Sequence, residues 1–273
     1  MGDNGSSIND LLVSSASQQR IALLAQRAER ARLAEVASLP WVDTREGDGW
    51  LAVRSHVDNN DLNGVISDQG VVPGQATLAE VSRWLGSVPA TWYATCPNSE
   101  LTEALVAAGW EPERTGRCAG STLPLRSKGI AAGVSVLPVE DDSDRQTWLN
   151  IARACDWFDD TPGQRSLRER LARDLTWQRW LATLDGTVVG MATGWLDGDL
   201  LELVDIAVVE PARRRGVGTA LLAEVCTWGK DADHIVAAPS PDGWMLLQTH
   251  GFVNVPTTSD TAFYRSGPQL GNL

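Results

Sequence analysis

The sequence predicts an α/β (α+β layered) protein of two lobes, each with a mixed, mainly antiparallel sheet flanked by helices. Three observations predict this class. The chain has 273 residues, a length typical of one large domain or two small ones. Helical and strand periodicities alternate along it. In its second half, Asp-Gly pairs join apolar runs in the way that antiparallel hairpins do.

A short internal similarity supports the division into two lobes. Residues 97–110 (PNSELTEALVAAGW) and 239–252 (PSPDGWMLLQTHGF) share the order strand, proline, helix, glycine and aromatic residue, with the proline and the glycine at the same separation. Small and flexible residues mark a boundary between the halves. The predicted divisions are a flexible N-terminus (1–16), a first lobe (17–126), a linker (127–133) and a second lobe (134–273).

The first lobe begins with an amphipathic helix over residues 18–38, in which Glu35 interrupts the apolar stripe. The later elements are, in order, strands within 49–67, a short helix over 77–85 capped by Thr77, a strand over 92–96 and a helix over 99–108 that is closed by Gly109.

The second lobe is predicted in the same way. Its elements are a strand over 134–139, helices over 143–157 and 161–175, three antiparallel strands over 177–184, 187–196 and 200–209, a helix over 219–229, a strand over 234–238, a helix over 243–250 and closing strands within 252–264.

Composition and charge exclude several classes of function. Hydrophobic residues make up 43% and charged residues 21%, a balance typical of globular domains. Thirty-five acidic and 23 basic side chains give a net charge of −12. Because such a surface repels phosphate backbones, we expect no nucleic-acid partner.

Cysteine usage and the N-terminus predict a cytoplasmic protein. The four cysteines (Cys96, Cys118, Cys155 and Cys226) are scattered, without the spacing of a disulfide framework or a metal site. The first residues lack the basic and apolar regions of a signal peptide, and no apolar run is long enough to span a membrane. We therefore expect no metal and no membrane association.

One segment carries the chemistry. After an apolar strand, the turn Arg213-Arg214-Arg215-Gly216-Val217-Gly218 opens a helix at Thr219. Glycines let backbone N–H groups converge, and a helix N-terminus carries partial positive charge, so the turn suits a pyrophosphate. Three arginines in so acidic a chain strengthen that interpretation. Solvated arginines beside ordinary turn glycines are the alternative.

Two common phosphate motifs do not fit the turn. A dinucleotide fingerprint requires a third glycine where Leu221 stands, and a P-loop requires a lysine that is absent. The segment instead resembles the acyl-CoA motif R/Q-x-x-G-x-G/A of the GNAT N-acyltransferase superfamily. The later run 246–252 is similar to that family's closing helix end, LYxxxGF. The first half resembles the degenerate lobe of tandem GNAT proteins, since it has no such motif.

The resemblance implies a donor site in the second lobe. The edge of the strand at Ile206, Ala207 and Val208 would pair with the pantetheine amides of acetyl-CoA or another acyl-CoA. The backbone N–H groups from Arg214 to Thr219 would hold the pyrophosphate. The cofactor-binding residues implied are Ile206, Ala207, Val208, Arg213, Arg214, Arg215, Gly216, Val217, Gly218 and Thr219.

Acyl transfer to an amine needs a base for the amine and a proton donor for the thiolate. Glu202 and Asp205, on the strand before the motif, are the candidate bases, with solvated carboxylates beside an arginine as the alternative. The family's donor tyrosine is replaced by Leu247. Ser240, near the start of that helix, is the substitute hydroxyl, with a helix cap as its alternative role.

The sequence therefore predicts an N-acyltransferase that moves an acyl group, the acetyl group in the first instance, from CoA to a primary amine on a small molecule. Two alternatives stay open: a donor held on an acyl carrier protein, and a non-catalytic acyl-CoA sensor or scaffold. Five tryptophans fall in segments that would border the acceptor cleft: Trp157, Trp177, Trp180, Trp195 and Trp244. The sequence specifies neither the acceptor nor the oligomeric state.

Overall fold

The computed structural model describes most of the chain. The described residues are 15–56, 62–68, 70–94, 98–112, 117–123, 125, 129, 131–155, 162–175, 177–256 and 262–265. Cys96, Trp157 and nearly all of the predicted flexible N-terminus lie outside them.

Helices and strands follow the predicted order. The helices are α1 (Ser15–Ala37), α2 (Gln75–Leu85), α3 (Ser99–Ala107), α4 (Asp142–Ala154), α5 (Pro162–Asp174), α6 (Val217–Trp228) and α7 (Pro241–Thr249). The strands are β1 (Asp43–Gly47), β2 (Trp50–Arg54), β3 (Asn63–Ser67), β4 (Ala90–Ala94), β5 (Glu111–Pro112), β6 (Arg117–Thr122), β7 (Val134–Pro138), β8 (Gln178–Leu184), β9 (Thr187–Asp197), β10 (Leu200–Val208), β11 (His234–Ala237), β12 (Val253–Pro256) and β13 (Ala262–Arg265).

The α/β prediction with two mixed sheets is confirmed, and two local predictions are corrected. Strands β1, β5 and β6 were not predicted; all five residues of β1 are exposed, so that strand lacks the apolar alternation by which a strand is recognised. Thr77 does not cap α2, because that helix begins at Gln75 after Gly74 and has no side-chain cap. Asn98 caps α3, where its side chain accepts hydrogen bonds from two backbone N–H groups.

The two sheets exchange a strand. The N-terminal sheet has the order β1-β2-β3-β4-β13-β5, and the C-terminal sheet has the order β12-β6-β11-β10-β9-β8-β7. Strand β6 comes from the predicted first lobe but lies between β11 and β12, and β13 comes from the predicted second lobe but lies between β4 and β5. A division at residues 127–133 therefore does not separate the sheets, since each is completed by the other half of the chain.

Helix α1 packs between the sheets. Leu33 and Val36 are buried in a cluster with residues of β2, β3 and β4, whereas Ala28 is buried against Trp195 and Leu200 of the C-terminal sheet. A helix covered on more than one side cannot keep a single apolar stripe. This explains why the stripe is imperfect toward Glu35.

A β-bulge interrupts strand β10. Its pairing with β9 shifts register between Leu203 and Asp205, and its parallel pairing with β11 ends at Leu203 opposite Ala237. From there β10 continues to Val208 alongside β9, while β11 has already ended. The two strands thus open a notch in the sheet. In the last residues of β10, the edge that faces away from β9 has no strand partner among the described residues.

Candidate functional site

The turn between β10 and α6 has the backbone of an anion-binding nest. Arg214 has φ 63° and Gly216 has φ 83°, so two of its residues adopt the left-handed conformation. Such alternation turns successive N–H groups toward one side. Gly216 is the N-cap of α6 and provides no side-chain cap, so the first N–H groups of that helix have no capping side chain. Arg214 is a non-glycine residue at positive φ, and such a strained backbone conformation is typical of functional sites.

A cavity of about 830 Å³ extends from this turn into the notch. Most of the predicted cofactor-binding residues line it: Ile206, Ala207, Val208, Arg213, Arg214, Gly216, Gly218 and Thr219. Side chains of β10 on both faces of the sheet reach it, because Ile206 and Val208 pack with α6 whereas Ala207 packs with α4. The cavity therefore passes from the nest-like turn through the sheet.

The remaining cofactor candidates point elsewhere. The Arg215 side chain pairs with Asp185, Nη2 to Oδ2 at 3.3 Å, and does not line the cavity. Val217 is buried in the core of the C-terminal lobe.

Arg213 lines the cavity, and its Nε donates to the carbonyl of Val208 at 3.0 Å. Among the described residues, Arg214 has no hydrogen-bond or ion-pair partner, so its guanidinium can bind an anion without breaking a contact.

The bulge brings both candidate bases to one face of the sheet. In a regular strand, residues three apart point to opposite faces. Glu202 is opposite Trp195 and Asp205 is opposite Thr193, and Thr193 and Trp195 are two apart on β9. Glu202 and Asp205 therefore share a face. Arg179 of β8 lies opposite Thr193 in the next pair, so it belongs to the same face. We call these five side chains (Arg179, Thr193, Trp195, Glu202 and Asp205) the polar face.

Asp205 has the environment of a proton acceptor. It is half-buried, and burial raises the pKa of its carboxyl above the ordinary value. The guanidinium of Arg168, the Thr193 hydroxyl and the guanidinium of Arg179 partly oppose that rise. Burial also lowers the pKa of Arg179 to about 10. A carboxyl whose pKa moves toward neutrality is suited to general-base chemistry.

Glu202 has a different environment. It is only 5% exposed, and its Oε2 is 2.8 Å from Nε of Arg32 on helix α1. Its carboxylate oxygen is therefore already held by a guanidinium. This ion pair makes Glu202 a weaker candidate base than Asp205.

Helix α1 contributes a second carboxylate beside the polar face. Oε2 of Glu35 accepts hydrogen bonds from the indole N–H groups of Trp177, at 2.8 Å, and Trp195, at 2.9 Å. The residue that interrupts the apolar stripe of α1 is thus the one that joins it to two tryptophans of the C-terminal lobe. Of the other predicted tryptophans, Trp180 is buried against Trp228 and Trp244 packs on the core, while Trp157 lies outside the described residues.

Ser240 and Leu247 occupy the helix that closes the cavity. Ser240 lines the cavity and caps α7, its Oγ accepting from the N–H of Gly243 at 3.2 Å. A hydroxyl that accepts one hydrogen bond can still donate its own proton. Leu247 is 1% exposed and belongs to the apolar core, so it offers no proton.

Sequence reasoning missed Arg32, Arg168, Thr193 and Arg179. Only Arg179 gives a local signal, since it is a charged residue in an apolar strand and is 6% exposed. Arg32 lies on a helix 170 residues before its partner. Its role depends on how the lobes pack, which no local pattern reveals.

The N-terminal sheet has a related pair of strands without a basic turn. β3 and β4 are parallel, and helix α2 follows β3. The residues between β3 and α2, DQGVVPG at 68–74, contain no lysine or arginine. An equivalent phosphate site in this sheet would therefore lack cations.

Three further features concern the described part of the chain. Within it, no group of three or more His, Cys, Asp or Glu side chains is placed to hold a metal ion. Cys118, Cys155 and Cys226 are free thiols. No helix in the described ranges is sufficiently long and apolar to cross a membrane.

Comparison with known sequences finds a family model that matches part of the C-terminal half of the chain. Residues 146–251 match the model of the acetyltransferase (GNAT) family. The match extends from within α4 to the second residue after α7 and includes the whole cavity turn. No curated protein sequence matches the chain.

Solved structures share the two-lobe fold. A GCN5-related N-acetyltransferase from Kribbella flavida, 16% identical, gives a TM-score of 0.63 over 89% of this chain and 95% of that chain. A tandem GNAT protein from the clavulanic acid biosynthesis pathway, 13% identical, gives 0.54 over 90% and 93%. A GCN5-related N-acetyltransferase from Sphaerobacter thermophilus, 13% identical, gives 0.52 over 90% and 89%. At these identities the likeness concerns the fold.

Proposed function

We propose that the chain is a tandem-type member of the GNAT superfamily and that its C-terminal lobe transfers an acyl group, acetyl in the first instance, from CoA to a primary amine on a small molecule. The observation that carries the proposal is the course of the cavity. It runs from a cationic, left-handed turn along residues 206–208 of β10, which follow Asp205 in the chain, although Asp205 itself does not line it. A pyrophosphate at one end and a reacting thioester at the other match the two ends of a CoA thioester.

The turn suits the nucleotide end of the donor. Arg214 supplies a cation that has no ion-pair partner among the described residues, and the first N–H groups of α6 supply donors and the positive end of a helix. The edge of β10 at residues 206–208, which has no strand partner among the described residues, supplies backbone groups in a strand-like arrangement, and Arg213 already donates to one of them, the Val208 carbonyl. A pantetheine arm has amides that can pair with such an edge.

The polar face suits the reacting end. Asp205 takes the proton from the acceptor amine, because its carboxyl is partly desolvated and lies at the notch. The amine nitrogen then forms a bond to the thioester carbon as the carbon–sulfur bond breaks. The Ser240 hydroxyl, on the opposite side of the notch, donates a hydrogen bond to the departing thiolate. Glu202 remains paired with Arg32 throughout.

The donor half of the proposal is tested by titrating acetyl-CoA calorimetrically into the parent protein and two variants. Arg214→Asn removes that cation but keeps a residue that tolerates positive φ. Arg215→Gln is the matched control, since that side chain pairs with Asp185 outside the cavity. We expect saturable binding in the parent, a loss of about tenfold or more with Arg214→Asn and a change of less than about threefold with Arg215→Gln. Equal losses would refute this placement of the pyrophosphate.

Two further measurements address the alternatives. If a carrier protein supplies the donor, acetyl-pantetheine binds as tightly as acetyl-CoA, because the nucleotide then contributes nothing. Turnover is followed as thiol release from acetyl-CoA in the presence of benzylamine, glucosamine or spermidine. Binding of acetyl-CoA with no thiol release above the protein-free rate for any amine favours the sensor alternative.

A further inference from the structure

Helix α1 belongs to the N-terminal lobe, yet its polar side chains contact the face of the C-terminal sheet that holds Asp205. Leu33 and Val36 of α1 are buried with the N-terminal sheet. Arg32 and Glu35 lie next to them in the helix but reach the C-terminal sheet. Arg32 contacts Glu202, and Glu35 contacts Trp177 and Trp195. The C-terminal part of the helix thus presents apolar side chains to the N-terminal sheet and charged side chains to the C-terminal sheet.

These contacts are buried and specific. The Arg32 side chain is 20% exposed and that of Glu202 is 7% exposed, with 2.8 Å between Nε and Oε2. Glu35 receives two indole N–H groups on a single carboxylate oxygen. Buried charges of this kind are costly for folding unless they are paired, and hydrophobic residues in their place often serve stability equally well. Stability alone therefore does not account for a cluster of charges in this interface.

The cluster lies beside the point on β10 where the notch begins. Pairing of β10 with β11 ends at Leu203, directly after Glu202, and the notch begins there. Asp205 follows on the same face because of the bulge. An acceptor that approaches Asp205 on this face meets Glu202, Trp195 and the residues of α1 that hold them.

We infer that the N-terminal lobe completes the acceptor side of the catalytic site. Arg32 is a positioning residue that holds Glu202, and Glu35 is a positioning residue that holds the indole rings of Trp177 and Trp195 beside Asp205. The inference rests on the proposed acyl transfer. It gives the lobe that lacks a basic turn a defined task, which is to form one wall of the space that the acceptor enters.

Arg27 provides a matched control on the same helix. Its guanidinium pairs with Asp197, at 2.9 Å, and with Asp199, at 2.7 Å. Both partners lie at the β9–β10 turn, at the opposite end of β10 from the notch, and these side chains are more than 40% exposed. Arg27→Gln therefore removes a contact between α1 and the C-terminal sheet without touching the polar face.

The experiment uses bisubstrate adducts, in which the sulfur of CoA is joined through an acetamide bridge to benzylamine or to spermidine. An adduct occupies both donor and acceptor sides, and its affinity requires no turnover. Its Kd and that of acetyl-CoA are measured by calorimetry for the full-length parent, Arg32→Gln, Glu35→Gln and Arg27→Gln. The two adducts test an aromatic and a cationic acceptor separately.

We expect at least one adduct to bind the parent about tenfold more tightly than acetyl-CoA. Arg32→Gln and Glu35→Gln should abolish most of that gain while changing the Kd of acetyl-CoA less than about threefold, and Arg27→Gln should change neither Kd appreciably. Arg32→Lys should recover part of the gain, because it restores the charge without the planar geometry.

Three results would overturn the inference. The first is that neither adduct binds the parent more tightly than acetyl-CoA does. The second is that the gain in affinity survives in both Arg32→Gln and Glu35→Gln. The third is that these variants weaken the binding of acetyl-CoA and of the adduct equally, as loss of a general structural role would. Because Arg32→Gln leaves Glu202 buried without its arginine, the double variant Arg32→Gln/Glu202→Gln is measured as well; it removes both charges and should still lose the gain. Failure of acetyl-CoA to bind the parent identifies failure of the proposed function itself.

Discussion

Two glycines at the start of helix α6 should respond to alanine with opposite signs. At Gly216, φ is 83° and an added Cβ would lie 2.7 Å from Cβ of Ala131. Left-handed backbone costs an L-residue about 1–2 kcal/mol, and relieving an overlap with a group fixed to the backbone adds roughly another 1 kcal/mol. Gly216→Ala should therefore destabilise the protein by about 2–3 kcal/mol.

Gly218 is the matched position two residues later. Its φ is not positive, and an added Cβ would lie 3.2 Å from Cδ2 of Leu246, a side chain that can move. Alanine in a helix gains roughly 0.5–1 kcal/mol over glycine, which offsets the tight contact. We expect Gly218→Ala to be neutral or slightly stabilising.

The assay is thermal and urea unfolding of the parent and both variants. A loss of 2–3 kcal/mol corresponds to a fall in Tm of roughly 5–10 °C for a chain of this size. Gly216→Ala should also weaken acetyl-CoA binding, because it displaces N–H groups of the turn. Equal stability of the two variants, or a larger loss at Gly218, would refute the left-handed turn and its contact with the segment before β7.

Three further predictions concern other parts of the molecule. Asp205→Asn should lower kcat by about 10²–10⁴-fold. Because burial raises the pKa of the Asp205 carboxyl in the folded state, the parent protein loses stability as pH rises through that pKa. The variant should therefore be more stable than the parent at pH 8 and lose that advantage toward pH 4. An unchanged kcat would exclude Asp205 as the base. Ser240→Ala should cost about 1 kcal/mol, whereas Ser240→Asn keeps the cap; if the hydroxyl assists the thiolate, kcat falls in both, and if Ser240 only caps α7, Ser240→Asn retains parental kcat. Phe263→Ala should cost about 3–5 kcal/mol in urea unfolding, since this fully buried ring on β13 packs in the core of the N-terminal sheet; a loss below about 1 kcal/mol would contradict the strand exchange.

The strand exchange also explains why the halves of the chain should not act as independent domains. Removing residues 1–133 would take away β6, which pairs with both β11 and β12. The C-terminal sheet would then lose the neighbour of β11, and β11 is the strand that pairs with β10 up to the notch. The donor site and the first half of the chain are therefore linked through the sheet as well as through α1.

The sequence by itself determined what depends on neighbouring residues. The helices and most strands follow apolar period and turn chemistry, so these were predicted in order, whereas β1, β5 and β6 were not. The glycine-rich turn that opens α6 was predicted because its glycines and the helix start are properties of six consecutive residues. The clearest local misses, β1 and the start of α2, are an exposed strand and a helix without a side-chain cap, where that chemistry is weak.

Tertiary structure decided the rest. Whether Glu202 and Asp205 share a face depends on a bulge that shifts the register against β9. Which sheet receives β6 and β13 depends on pairings between residues more than 100 positions apart. The partner of Glu202 is an arginine on a helix of the other lobe. Such contacts arise because each sheet must pair its strands and each buried charge must find a counter-charge in space, requirements that no short stretch of sequence expresses.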